Sequence, residues 1–129
     1  MHKTFFAFAT ISLALLLGIT ACGKDSTTAD YTANADCSAI VSANNTYNNG
    51  IKAIIDGNCA TAGCHNAFTA SEGIDMSDYA KTKNVFEKKD ALCTIHHGSG
   101  CKAMPDGQPK LSDAIINQID CWVKNGYLE

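Results

Sequence analysis

The chain contains no arginine: its ten basic residues are all lysines, against thirteen acidic residues. Nucleic-acid binding requires a basic face or stripe, and the lysines of this chain form neither. This argues against nucleic acid as a partner. Segments of alternating polarity long enough for a β-sheet are also missing, and beyond residue 21 no apolar run is long enough for a transmembrane helix.

The first residues have the features of an export signal. Lys3 gives a positive start, and the apolar run from Phe5 to Ile19 is shorter than a helix that spans a bilayer comfortably. The following sequence, Ile-Thr-Ala-Cys22, resembles a bacterial lipobox, in which cleavage before the cysteine exposes it for lipidation. We therefore predict a lipoprotein signal peptide over 1–21 and lipidation of Cys22. An ordinary signal peptide cleaved near the same place is the alternative.

Cleavage before Cys22 would leave 108 of the 129 residues, enough for one small domain. Loss of Lys3 would leave nine lysines against thirteen acidic residues, a formal charge of −4. Residues 22–35 are polar and predict a flexible tether, and residues 36–129 predict the domain. The lipid would be the only membrane attachment. We expect a location in the cell envelope, on the outer rather than the inner membrane, facing the periplasm or the cell surface.

Apolar periodicity predicts an all-α domain with long loops. The first stripe places Tyr47, Ile51, Ile54 and Ile55 at helical spacing, and Gly57 is expected to end that helix.

Three further segments have helical patterns. Residues 79–85 and 90–95 predict two short amphipathic helices, and Ser112 can cap a longer C-terminal helix. Asn125-Gly126 supplies a stop for it. The apolar stripe of this last helix consists of Ile115, Ile119, Trp122 and Val123.

Cys59, Cys64 and His65 form a variant of the attachment motif of c-type haem. Such a site needs two thiols for thioether bonds to the haem vinyl groups, and a histidine directly after the second thiol to bind the iron. The usual motif has two residues between the thiols, whereas this chain has four. Because these residues are small and include Gly63, the loop can bulge without displacing Cys64 and His65. The motif predicts one covalent haem c.

Met104 is the candidate for the second iron ligand. A thioether sulfur is a soft, neutral ligand, and methionine–histidine ligation raises the reduction potential of a haem and suits electron transfer. Pro105 restricts the preceding residue to an extended backbone. Two alternatives remain: Met104 can be a core methionine, and either His96 or His97 can be the ligand in a bis-histidine haem.

In this order, the segments resemble the class I cytochrome c superfamily, in particular the short monohaem lipoproteins common in Bacteroidota. The resemblance covers about 47–126. Besides the haem motif, it is carried by Asp75-Met76-Ser77-Asp78-Tyr79, Met104-Pro105, Leu111-Ser112-Asp113 and Trp122-Val123-Lys124-Asn125-Gly126. It implies thioether bonds at Cys59 and Cys64, with His65 and Met104 as iron ligands. It also implies electron transfer to partner redox proteins, and first and last helices that cross over one edge of the haem.

Seven cysteines are many for a small exported chain, and an oxidising compartment favours their pairing. Lipidation and the haem motif leave four, which allow three connectivities. The crossed helices that the resemblance implies would bring Cys37 near Cys121. Cys93 and Cys101 flank a glycine-rich turn. We favour the disulfides Cys37–Cys121 and Cys93–Cys101.

Two other classes of function compete with the cytochrome. Cys59, Cys64 and His65 could bind zinc together with His96 or His97, although ligation by adjacent residues strains a tetrahedron. A binding lipoprotein with three disulfides and no cofactor is the other alternative. We find no nucleophile–base pair in the sequence and do not expect an enzyme.

Overall fold

The computed structural model describes residues 30–129, and it is helical. Its helices are α1 (Ile51–Asn58), α2 (Tyr79–Lys88), α3 (Ala91–Ile95) and α4 (Asp113–Lys124), with 3-10 turns at Ser42–Asn44 and Ser71–Gly73. The described range contains no β-strand, which confirms the all-α class. Within it, no helix combines the length and apolar character that crossing a membrane requires. The predicted signal peptide (1–21), the lipidation site Cys22 and tether residues 22–29 lie outside the described residues.

The core forms where α1 packs against α4, and α2 packs against α3 beside it. Ile51, Ile55 and Ile119 are completely buried there, as is Trp122. Full burial of a large apolar side chain contributes about 1.5–3 kcal/mol, so these few residues supply much of the packing energy. The Trp122 ring makes an edge-on contact with Phe86 of α2, with ring centroids 5.7 Å apart. The first and last helices are thus in contact.

The predicted helix ends were right for α4 and wrong for α1. Ser112 caps α4 by accepting a hydrogen bond from the Ile115 amide (3.4 Å), and the helix ends just before Asn125-Gly126. By contrast, α1 begins only after Gly50, whose φ of +115° is not helical. A Cβ on Gly50 would lie 2.9 Å from the Gln118 side chain, so a close approach to α4 sets this end. Gly57 does not stop α1, which continues to Asn58.

Both favoured cysteine pairs lie at disulfide distance. The Cα atoms of Cys37 and Cys121 are 5.7 Å apart, and those of Cys93 and Cys101 are 6.1 Å apart. The first pair joins positions separated by 84 residues and ties the beginning of the domain to α4. Cys121 itself is completely buried.

Residues 30–37 form a segment that we call the N-terminal strap. The Tyr31 ring lies against the His96 ring, with centroids 4.8 Å apart, and its hydroxyl is 3.1 Å from the Cys93 sulfur. The Asp36 main chain forms two hydrogen bonds, of 2.9 and 2.8 Å, with the Asn117 amide of α4. Contacts with the domain therefore begin before the predicted boundary at Asp36, because the Tyr31 ring packs against His96.

Candidate functional site

A cavity of about 1060 Å³ lies between the end of α1, the helices α2 and α3, and the loop that leads to α4. Cys59, Cys64, His65 and Met104 all line it, although Met104 is distant from the other three in sequence. Ligand pockets in proteins usually measure about 300–1,000 Å³, so this cavity is large enough for an extended cofactor.

The lining of the cavity is apolar inside and charged at its exposed positions. Its apolar contributors include Ile74, Met76, Val85, Phe86, Ile95 and Leu111. Its charged contributors are all exposed: Glu72, Lys89, Asp90, Lys102 and Asp106. Such a lining suits a ligand with a large apolar body and polar groups at its edge.

The imidazole of His65 is oriented by the main chain of a later segment. Its Nδ1 lies 3.2 Å from the Ile74 carbonyl oxygen. Because a carbonyl can only accept, Nδ1 carries the proton in this contact and the lone pair is left on Nε2. Histidines that bind metals are commonly held by a hydrogen bond of this kind. His65 also donates its amide to the Cys59 carbonyl (3.1 Å), which fixes it relative to the first thiol.

A tight turn accommodates the wide spacing between the two thiols. The Cys64 amide donates to the Thr61 carbonyl at 3.0 Å, and Gly63 has a φ of +85° that other residues rarely adopt. The Ser71 hydroxyl donates to the Gly63 carbonyl at 3.2 Å and holds the turn from outside. The two additional residues therefore form the turn while Cys64 still leads directly into His65.

Cys59 and Cys64 are the free cysteines of residues 30–129. Burial raises the pKa of the Cys59 thiol to about 11, and the charge of a Cys64 thiolate adds to this shift. The Cys59 thiol is therefore neutral at physiological pH.

The two other candidate ligands, His96 and His97, do not line the cavity. The Nε2 atom of His96 is 3.0 Å from both carboxylate oxygens of Asp120, on α4. Burial raises the pKa of Asp120, and the hydrogen bond and charge of His96 oppose this effect. The His97 Nε2 donates to the Met104 carbonyl at 3.1 Å. Within residues 30–129, no three His, Cys, Asp or Glu side chains are grouped as a metal site requires.

Met76 lines the same cavity and was not expected there. Only 4 % of it is exposed, and its amide donates to the His65 carbonyl at 2.8 Å. It belongs to the hydrophobic core, whereas Met104 is partly exposed and lies in a loop. The sequence signal for Met76 was only its place in the segment that follows the haem motif, which does not distinguish a cavity residue from a core residue.

The chain was compared with protein families, with curated proteins and with solved structures. No protein family, no curated protein and no solved structure matches the chain.

Proposed function

We propose that this chain is a monohaem c-type cytochrome, anchored in the cell envelope by a lipid on Cys22, that passes electrons to partner redox proteins. The observation that supports the proposal is the meeting of Cys59, Cys64, His65 and Met104 in one large cavity. Two free thiols, an imidazole with an available nitrogen and a thioether sulfur are the groups that a covalent, six-coordinate haem requires.

Each of these residues would have a distinct role. Cys59 and Cys64 would attach the haem through thioether bonds, and His65 Nε2 and the Met104 sulfur would bind the iron. A bound haem would supply a one-electron couple between ferric and ferrous iron. The apolar walls would exclude water and, with methionine as a ligand, favour a raised potential. Because His65 and Met104 would both be iron ligands, no iron position would be left for a substrate, which favours electron transfer over catalysis.

The test is covalent attachment of haem in cells that carry out cytochrome c maturation. The purified protein should be red, show the sharp reduced bands of a c-type haem, and keep the haem after denaturation. Haem that extracts into acidified organic solvent, or a colourless protein, would contradict the proposal. A colourless protein with three disulfides would point instead to a binding lipoprotein without a cofactor, and stoichiometric zinc would point to a metal-stabilised one.

Two pairs of cysteine substitutions form a matched control. Cys59→Ser with Cys64→Ser should abolish covalent haem. Cys93→Ser with Cys101→Ser removes the same number of sulfur atoms from a pair outside the motif, and this variant should retain covalent haem. Equal loss of haem in both variants would indicate general misfolding and not attachment at the motif.

A further inference from the structure

The main chain of Met104 is held on both sides, by a residue of α3 and by the turn that follows this helix. Its amide donates to the Thr94 carbonyl at 3.0 Å, and its carbonyl accepts from His97 Nε2 at 3.1 Å. Met104 lies outside every helix, so neither of these bonds belongs to regular secondary structure. Both polar groups of its backbone are therefore used to fix this residue beside the cavity that its side chain lines.

His97 makes this contact from a left-handed backbone conformation, which is uncommon for residues other than glycine. Its φ is +55°, in the left-handed region that glycine occupies without steric cost. The turn is closed by two further bonds, from the His97 amide to the Thr94 carbonyl (3.2 Å) and from the Gly98 amide to the Cys93 carbonyl (2.8 Å). A glycine at position 97 would suit this backbone better, so the fold alone does not account for the imidazole.

We infer that His97 is a positioning residue, whose Nε2–H holds the Met104 carbonyl and so presents the methionine sulfur to the cavity. The inference rests on the proposed function, in which Met104 binds the haem iron. The neighbouring His96 provides a contrast, because its Nε2 forms hydrogen bonds with Asp120, whereas His97 is the histidine that bonds to Met104. Two adjacent histidines would thus serve different purposes, and neither would bind iron.

The experiment uses the ferric holoprotein and measures how easily added imidazole displaces Met104. In the wild type, the weak near-infrared band of a ferric iron–methionine bond should be present and should disappear as imidazole binds. His97→Gly removes the donor and relieves the backbone. It should lower the apparent dissociation constant for imidazole about fivefold, the effect of losing one hydrogen bond of about 1 kcal/mol.

Two further variants separate positioning from general stability. His97→Gln places an amide N–H where Nε2 lies and should restore most of the wild-type resistance to imidazole. His96→Ala removes the adjacent imidazole together with its contact with Asp120, and should leave the dissociation constant unchanged. An unchanged constant in His97→Gly, or an equal shift in His96→Ala, would overturn the inference.

Failure of the proposed function has a different signature. A wild type without covalent haem would refute the cytochrome itself. A haem protein that lacks the near-infrared band, and whose visible spectrum changes in His97→Gly, would show that His97 is the ligand, which contradicts both the role of Met104 and the positioning role of His97.

Discussion

Loss of the Cys37–Cys121 disulfide should be among the most destabilising changes possible in this domain. The bond closes a loop of 84 residues, and in the chain-entropy model a loop of that length restricts the unfolded chain by about 4.5 kcal/mol. The Cys93–Cys101 bond spans 8 residues and is worth about 2.5 kcal/mol by the same reasoning. Small domains have total stabilities of about 5–15 kcal/mol, so loss of the longer cross-link should leave the fold marginal.

The substitutions are chosen by burial. Cys37→Ser suits a partly exposed position, whereas Cys121 is completely buried and Cys121→Ala avoids an unpaired hydroxyl in the core. Urea unfolding of the oxidised protein, followed by circular dichroism, should give a loss of about 4.5 kcal/mol for the double variant. Either single substitution breaks the same bond, so each should cost nearly as much as both together. A small loss for Cys37→Ser with a large loss for Cys121→Ala would show that core packing, and not the cross-link, stabilises the domain.

Two other predictions concern single side chains. Phe68 is 99 % exposed, so Phe68→Ala should change the free energy of unfolding by less than about 0.5 kcal/mol. Trp122 is completely buried, so Trp122→Ala should lower the free energy of unfolding by about 3–5 kcal/mol. A similar loss for both variants in urea unfolding would contradict the packing described. Burial raises the pKa of Asp120 despite the opposing effect of His96. A carboxyl group with a raised folded pKa stabilises most below its ordinary pKa, and this contribution is lost as the pH rises through the folded value. The stability of the wild type relative to Asp120→Asn should therefore fall in urea titrations as the pH rises above about 4, the ordinary pKa of an aspartate, and a rise there would refute the assignment.

The parts of the fold that could be predicted are those determined by local chemistry. Ser112 and Gly126 mark the limits of α4 because a cap and a stop act within one turn of the helix. The start of α1 could not be predicted in this way, because Gly50 takes its conformation where it meets Gln118 on a distant helix. The contact of Tyr31 with His96 was missed for the same reason, since it joins segments that are far apart in sequence.

In the candidate site, too, local features could be predicted from the sequence and contacts between distant segments could not. The order of Cys64 and His65 is a local signal, and the sequence was sufficient to single it out. Met104 was also singled out from the sequence, but its place in the same cavity depends on how the loops fold over the helices. The partial burial of Cys59 and the carbonyl that holds His65 Nδ1 depend on the same folding and could not be predicted. The sequence also left His96 and His97 open as iron ligands. In the structure their rings have other partners, since His96 contacts Asp120 and His97 contacts the Met104 carbonyl.

The Cys37–Cys121 bond also determines how mechanical force passes through the molecule. If residues before Cys37 are pulled in one direction and the C-terminus in the other, tension enters at Cys37, crosses the disulfide to Cys121 and leaves through the last residues of the chain. Residues 38–120, which include α1, α2 and α3 and all of the cavity lining, lie outside this load path. If this domain were tethered to a membrane while bound to a large partner, the Cys37–Cys121 bond would bear the tension. The cavity would then keep its shape under load.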